Sequence, residues 1–132
     1  MKLGITGSRH WTDEQAVWRR LEMLHSLEPI TLLIHGGARG VDTFADRWAR
    51  ARGIKRRIIR PDYRAYGSNV APIIRNRQIV AECDHLQAFR ARGKSNGTDR
   101  TILMASDAGK LLPVIHEKVD PILVRDSTTP AE

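Results

Sequence analysis

The amino-acid sequence predicts an α/β fold: a doubly wound, mainly parallel sheet of about five strands in the order 3-2-1-4-5, with helices on both faces. Short apolar runs alternate with helical patterns along the whole chain. One of them, Ile30-Thr31-Leu32-Leu33-Ile34-His35, is nearly continuous, as expected of a strand covered on both sides. Two glycine-rich turns, Gly7-Ser8-Arg9 and Gly36-Gly37-Ala38-Arg39-Gly40-Val41-Asp42, each follow an apolar run and precede a helical pattern. In a parallel sheet such turns gather along the carboxyl ends of the strands, where ligands bind.

The elements follow in order. Leu3 to Thr6 is a buried-type strand that ends at Gly7. Thr12 or Asp13 caps a helix to about Leu27, with Ala16, Val17, Leu21 and Leu24 on its apolar face. After the Ile30–His35 strand, a helix from about Val41 to Arg52 stops at Gly53, a C-cap residue. Arg57 to Arg60 is a third strand, halted by Pro61. Asp62 to Ala71 has turn composition and no periodicity, so it reads as a loop able to cover a ligand, and Pro72 then opens a helix to about Cys83. His85 to Phe89 is a fourth strand, Gly97-Thr98 leads a helix to about Ala108, and Leu112 to Ile115 is a fifth strand. Pro121 to Val124 reads as a short edge strand.

Length and composition set the class. A chain of 132 residues buries one core, so a single domain is expected over 1–124 with a flexible tail over 125–132. No apolar run approaches the roughly 20 residues that cross a bilayer, and Met1-Lys2-Leu3-Gly4-Ile5 reads as a strand rather than a signal peptide. Cys83 is the single cysteine, which excludes an internal disulfide or a multi-cysteine metal site and fits a reducing cytoplasm. The net charge of +7 favours anionic partners: nucleotides, nucleic acid or acidic protein surfaces. Much of the excess lies in Arg47, Arg50, Arg52, Lys55, Arg56, Arg57 and Arg60, either a solvated face or a nucleic-acid track. Aromatic residues are few, which supplies single-strand stacking platforms poorly.

The glycine turns point to phosphate chemistry. Glycine lets the backbone approach a phosphate closely, and the N–H groups opening the next helix supply donors. Neither turn is a Walker A loop, and neither holds G-x-G-x-x-G. Arg9 and Arg39 stand where a guanidinium reaches a phosphate with two donors. Asp42 can accept hydrogen bonds from its own turn or from a ribose hydroxyl, or cap the second helix. His35 ends a strand beside the turn, where it could titrate against a ligand, but a hydrogen-bonded structural histidine is the favoured reading. Trp11 either stacks on a base or packs against the first helix.

Four motifs in order carry a family resemblance: Gly7-Ser8-Arg9, then Gly36-x-Ala38-Arg39-Gly40-Val41-Asp42-x-x-Ala45, then Arg75-Asn76-Arg77, then Ser95-x-Gly97-Thr98. Over about residues 2–116 the chain resembles the SLOG superfamily, which includes the DNA-processing protein A family and the Lonely Guy phosphoribohydrolases. It is most similar to a compact SLOG family frequent in bacteria and phages. That resemblance implies a Rossmann-like fold and a nucleotide-type ligand held by Gly7, Ser8, Arg9, Gly36, Gly37, Arg39, Gly40, Asp42, Arg75, Asn76, Gly97 and Thr98. Arg75 matches an arginine implicated in Lonely Guy catalysis, and Gly97-Thr98 matches that family's late phosphate turn, where Thr98 can also cap its helix. Adjacent helical positions are about 100° apart, so Arg75, Asn76 and Arg77 cannot share one face, and at least one of them is expected to pair internally with a carboxylate. The departures are specific: the glutamate of the phosphoribohydrolase motif is Thr101 here, with Asp99 facing differently, and the P-G-G that opens that motif is absent. Threonine cannot serve as a carboxylate base or stabilise an oxocarbenium ion.

The sequence therefore favours a nucleotide-binding sensor, sequestering or accessory module over an enzyme, with no catalytic residue assigned and no metal ligands. A phosphoribohydrolase-type enzyme and a single-stranded nucleic-acid binder are the alternatives. A homodimer is expected from related proteins and from the apolar positions Ile73, Ile74, Ile102, Leu103 and Met104.

Overall fold

The computed structural model describes residues 1–118. Strands β1 (Lys2–Gly7), β2 (Leu32–His35), β3 (Lys55–Ile58), β4 (His85–Arg90) and β5 (Ile115–His116) form one sheet in the order β3-β2-β1-β4-β5. Every pairing is parallel, with Leu3 beside Leu33 and His85, and Ile5 beside Gln87. Helices α1 (Glu14–Leu27), α2 (Val41–Arg52), α3 (Tyr63–Glu82) and α4 (Asn96–Asp107) make the crossovers. The expected Rossmann-like α/β fold and strand order are those observed. The expected edge strand at 121–124 and tail at 125–132 lie outside the described residues.

Strand alternation divides the core in two. Leu3, Ile5, Leu33 and Phe89 face α1 and α2, where Val17, Leu21, Ala45 and Trp48 meet them. Ile34, Leu86 and Ala88 face α3 and α4, against Ile79, Val80, Cys83 and Ala105. Ile79 and Cys83 press directly on the backbone of β1: a Cβ on Gly4 would stand 3.0 Å from Cys83 Sγ. Burial pushes the Cys83 thiol up from its ordinary value, so it behaves as a core group. Gln87 is fully buried among apolar neighbours; Arg20 Nε donates to its Oε1 at 2.9 Å, and its amide donates to the Ala88 and Pro113 carbonyls. Both ends of that side chain are thus satisfied.

Caps set most boundaries. Asp13 accepts from the Ala16 N–H at 3.0 Å and starts α1. Gly53, at φ 68°, ends α2 in the left-handed conformation. Strand β3 lies two residues earlier than expected, although Ile59 still donates to the His35 carbonyl at 2.8 Å and is buried.

The expected loop at 62–71 is a correction. Asp62 accepts from the Ala65 N–H at 3.0 Å and caps helix α3, which begins at Tyr63. Gly67 (φ 76°, ψ 173°) breaks that helix once, so a short first segment precedes a longer second one. Pro72 accordingly lies inside α3 and does not open it. The first segment is solvent-exposed on all sides and so lacks an apolar period. Of the apolar positions set aside for a partner, Ile102 and Met104 pack on the α3/α4 core, Ile73 and Ile74 are half-buried, and Leu103 is exposed.

Two glycines are required where the chain turns under the sheet edge. A Cβ on Gly7 would meet Val41 Cγ2 at 2.5 Å, so its absence lets the first residue of α2 sit on the end of β1. Gly40 caps α2 at φ 72°, ψ −121°, and a Cβ there would strike the Ser8 carbonyl. Gly40→Ala should cost about 1–3 kcal/mol from the backbone conformation alone. Gly97→Ala, with open space around the new methyl group, should be neutral or stabilise by up to about 1 kcal/mol. Urea denaturation of both variants checks the contrast; equal effects would contradict it.

Candidate functional site

A cleft runs along the carboxyl edge of the sheet where β1 and β4 diverge to opposite sides, the switch point at which open α/β sheets bind ligands. It consists of two adjoining cavities that share Arg9, Gly36, Ala38 and Arg75. The inner one, about 300 Å³, lies between the turn after β1, helix α3 and the start of α4. The outer one, about 670 Å³, opens between Arg9, Arg39, Arg60, Arg75 and Tyr63. Together they fall within the size range of small-molecule and cofactor sites.

The turn after β2 is folded around one carboxylate. Asp42 Oδ2 accepts from the N–H groups of Gly36 and Ala38, both at 3.1 Å. Thr43 Oγ1 adds a bond to the Ala38 carbonyl at 3.0 Å. Asp42 therefore braces its own turn and does not cap α2, whose N-cap is Gly40. Its other oxygen, Oδ1, is buried and is the one buried side-chain nitrogen or oxygen without a hydrogen-bond partner among the described residues. Burial raises the Asp42 carboxyl above its ordinary value, opposed by His35, the two turn N–H groups and Arg75.

Arg75 ties α3 to the same turn. Its Nη1 donates to the Gly36 carbonyl at 2.8 Å and its Nε to Asn76 Oδ1 at 2.7 Å. A side chain on Gly36 would fill the place of that guanidinium. Contrary to expectation, none of the Arg75-Asn76-Arg77 trio forms an ion pair among the described residues. Arg75 instead serves a carbonyl and an amide oxygen, while Arg77 points to solvent.

His35 is structural, as expected. Its Nδ1 accepts from the Gly37 N–H at 3.0 Å, so the hydrogen sits on Nε2 and is donated to Asp46 Oδ1 at 2.8 Å. Asp46 also takes Arg56 at 2.9 Å and Arg50 at 3.1 Å; burial raises its carboxyl, but the bonds from His35 and Arg56 outweigh that and hold it below its usual range. Trp11 belongs to the core, with its ring edge-on to Phe89 and its Nε1 donating to the Asp13 carbonyl at 2.8 Å. It has no exposed face on which a base could stack.

Of the residues singled out from the sequence, Gly7, Ser8, Arg9, Gly36, Asp42, Arg75, Asn76, Gly97 and Thr98 line the inner cavity, and Gly37 and Arg39 the outer one. Gly40 lines neither and acts through the backbone of Ser8 and Arg9 behind the wall. Helix α4 has Ser95 as its N-cap and no side-chain cap; Thr98 is buried beside the cavity without capping it. The Thr101 hydroxyl donates to the Gly97 carbonyl at 2.8 Å, and Asp99 is held by Arg90 Nε at 2.6 Å, so neither lines the cleft. Sequence reasoning missed Lys94, Arg60 and Tyr63 as lining residues. Arg60 follows β3, and its place on the same carboxyl edge as the glycine turns was the signal that could have found it.

The basic cluster resolves into ion pairs: Arg47–Glu14, Arg50–Asp46, Arg52–Glu22, Arg56–Asp46 and Arg57–Glu82. By contrast Arg9, Arg39, Arg60, Arg75 and Lys94, all around the cleft, form no ion pair among the described residues.

The raised Asp42 carboxyl sets a pH dependence. An acid whose folded pKa exceeds its unfolded value stabilises the protein fully below the unfolded value, and that contribution is lost as pH rises through the folded one. Relative to Asp42→Asn, the wild type should thus lose stability as pH climbs above 3.8, until the folded-state value is passed, and stay level beyond it. Paired denaturation curves at stepped pH check this; a stability difference that grows in favour of the wild type would contradict it.

Comparison with known proteins places this geometry. The family model described as the YspA, cpYpsA-related SLOG family (YAcAr) matches residues 1–66, which hold both early glycine turns, β3 and the start of α3. Gene 61 protein of Mycobacterium phage D29 is 40% identical over 119 residues, covering 85% of this chain and 92% of its own length. No solved structure matches the chain. No helix among the described residues is long and apolar enough to cross a membrane. On its sequence, its fold and these matches, the chain belongs to the YspA, cpYpsA-related SLOG family.

Proposed function

We propose that the cleft binds a nucleotide or phosphorylated nucleotide derivative, and that the protein is a sensor, sequestering or accessory module rather than a catalyst. Membership in the SLOG family fits nucleotide-related binding or processing in general. The observation that carries the narrower reading is the placement of charge. Arg47, Arg50, Arg52, Arg56 and Arg57 are held by carboxylates, whereas five cations converge on the cleft and form no ion pair among the described residues. A cleft lined by these five cations against one carboxylate, Asp42, attracts an anion and holds it through charge-assisted bonds. The α4 N-terminus adds its N–H groups without a competing side-chain cap. Tyr63, 56% exposed at the outer cavity, offers a ring face for a base.

The binding reading is favoured over hydrolysis by two side chains. The Thr101 hydroxyl is occupied within its own helix, and the nearby Asp99 carboxylate is occupied by Arg90. Neither is placed to act on a glycosidic bond in the cleft. Binding of nucleic acid loses its main support in the ion pairs of the basic cluster, which leave much of that surface neutralised.

Native mass spectrometry of the freshly purified protein should show a co-purifying mass of nucleotide size. Arg9 is exposed and unpaired, so Arg9→Ala should leave the melting temperature unchanged and weaken ADP binding by about 1.5–3 kcal/mol in calorimetry. Unchanged affinity would move the anion away from the cleft. Incubation with nucleoside monophosphates, followed by chromatography, should release no free base; efficient release would assign a catalytic role to another residue.

A further inference from the structure

Gly67 interrupts α3 at φ 76°, ψ 173°, a backbone region essentially reserved for glycine. Packing does not require the residue, since a Cβ there would meet no atom within 4 Å. What the bend changes is the direction of the short segment ahead of it. Tyr63, Arg64, Ala65 and Tyr66 are all exposed, so no buried side chain fixes their place. The hydrogen bonds of the segment are local: Asp62 accepts from the Ala65 N–H at 3.0 Å through its carboxylate and from the Tyr66 N–H at 3.1 Å through its carbonyl. The rest of α3 is anchored through Ala71, Ile79 and Val80, and through Arg75 on the Gly36 carbonyl. An unbroken helix would run residues 63–66 along the axis of that anchored part, and the bend takes them off it. In the bent form Tyr63 lines the outer cavity with Arg9, Arg39, Arg60 and Arg75. It is the one tyrosine, tryptophan or phenylalanine that lines either cavity, and it is 56% exposed, while Trp11, Trp48 and Phe89 are spent in the core.

We propose that Gly67 is a positioning residue for the base of the bound nucleotide: its bend sets the Tyr63 ring at the outer cavity, where the ring stacks on the base while the phosphates lie toward Arg9 and the inner cavity. This rests on the nucleotide reading above and says which end of the ligand lies where. A glycine-only conformation with no packing demand is thereby tied to the aromatic face it aims at the cleft.

The test is a double-mutant cycle read by calorimetry on the full chain, with ADP and inorganic pyrophosphate as probes. Tyr63→Ala should weaken ADP about fivefold or more, the loss of one base–aromatic stack, and leave pyrophosphate within about twofold. Gly67→Ala places its methyl group in open space and so folds, which its melting curve checks. Alanine favours the unbroken helix, so this variant should weaken ADP by a similar factor and also spare pyrophosphate. The double variant should bind ADP no more weakly than Tyr63→Ala alone, because the glycine acts only through the ring. Equal losses for both probes, or losses that add in the double variant, would show a merely structural glycine and overturn the proposal. Unchanged ADP affinity in Gly67→Ala overturns it too, whatever the melting temperature does, since the surrounding chain would then hold the ring. ADP binding that ignores Tyr63→Ala but is weakened by Arg9→Ala overturns the stacking assignment and leaves the nucleotide reading standing. Failure of ADP to bind the wild type overturns both.

Discussion

The cleft depends on the carboxylate of Asp42 and the turn wrapped around it. The segment from Gly36 to Ala38 leaves β2 at the sheet edge with N–H groups that no strand or helix satisfies, and Asp42 Oδ2 takes two of them at 3.1 Å. Unsatisfied buried donors are costly, so the carboxylate fixes the path of the turn. Arg75 then locks the same turn from the other side of the sheet through the Gly36 carbonyl. One short loop thus joins helices that pack on opposite faces, and the cavity forms where they meet. The arrangement places a buried acid and a half-buried guanidinium side by side. Each moderates the cost of the other's burial.

A second carboxylate separates structure from function on the surface. Asp46 gathers His35, Arg50 and Arg56, joining the end of β2 to α2 and β3. Of these, the pair to the solvent-exposed Arg50 adds little stability. Together these pairs neutralise part of the face formed by α2 and β3, while five cations with no ion pair among the described residues gather at the carboxyl edge.

Much of this was legible in the sequence because glycine turns and apolar strands carry local signals. Gly53 at φ 68° and Asp13 as a cap do what their residue types favour, and Ile30–His35 is apolar because both faces of β2 are covered. Helix α3 was misread where local and tertiary signals part. Tyr63 to Tyr66 are exposed and show no period, Gly67 does break the helix, and Pro72 imitates a start that Asp62 had already made. The glycines and arginines of the turns were found because they adjoin strand ends. Arg60 adjoins the end of β3 in the same way but carries no glycine turn to mark it, and Tyr63 reaches the cleft only through the helix that Asp62 starts. That Asp42 can brace its own turn follows from its place six residues after Gly36, but the burial of its other oxygen is a property of packing alone.

The account's central claim is that an anionic nucleotide lies against the three glycine turns at the carboxyl edge of the sheet. Titration of the isotope-labelled protein with ADP, followed residue by residue in amide NMR spectra, tests it most directly. The account predicts the largest shifts at Gly7, Gly36, Ala38, Gly97 and Thr98, the amides that border the inner cavity. Shifts centred on the outer face of α1 and α2, or none at all at millimolar ADP, would contradict it.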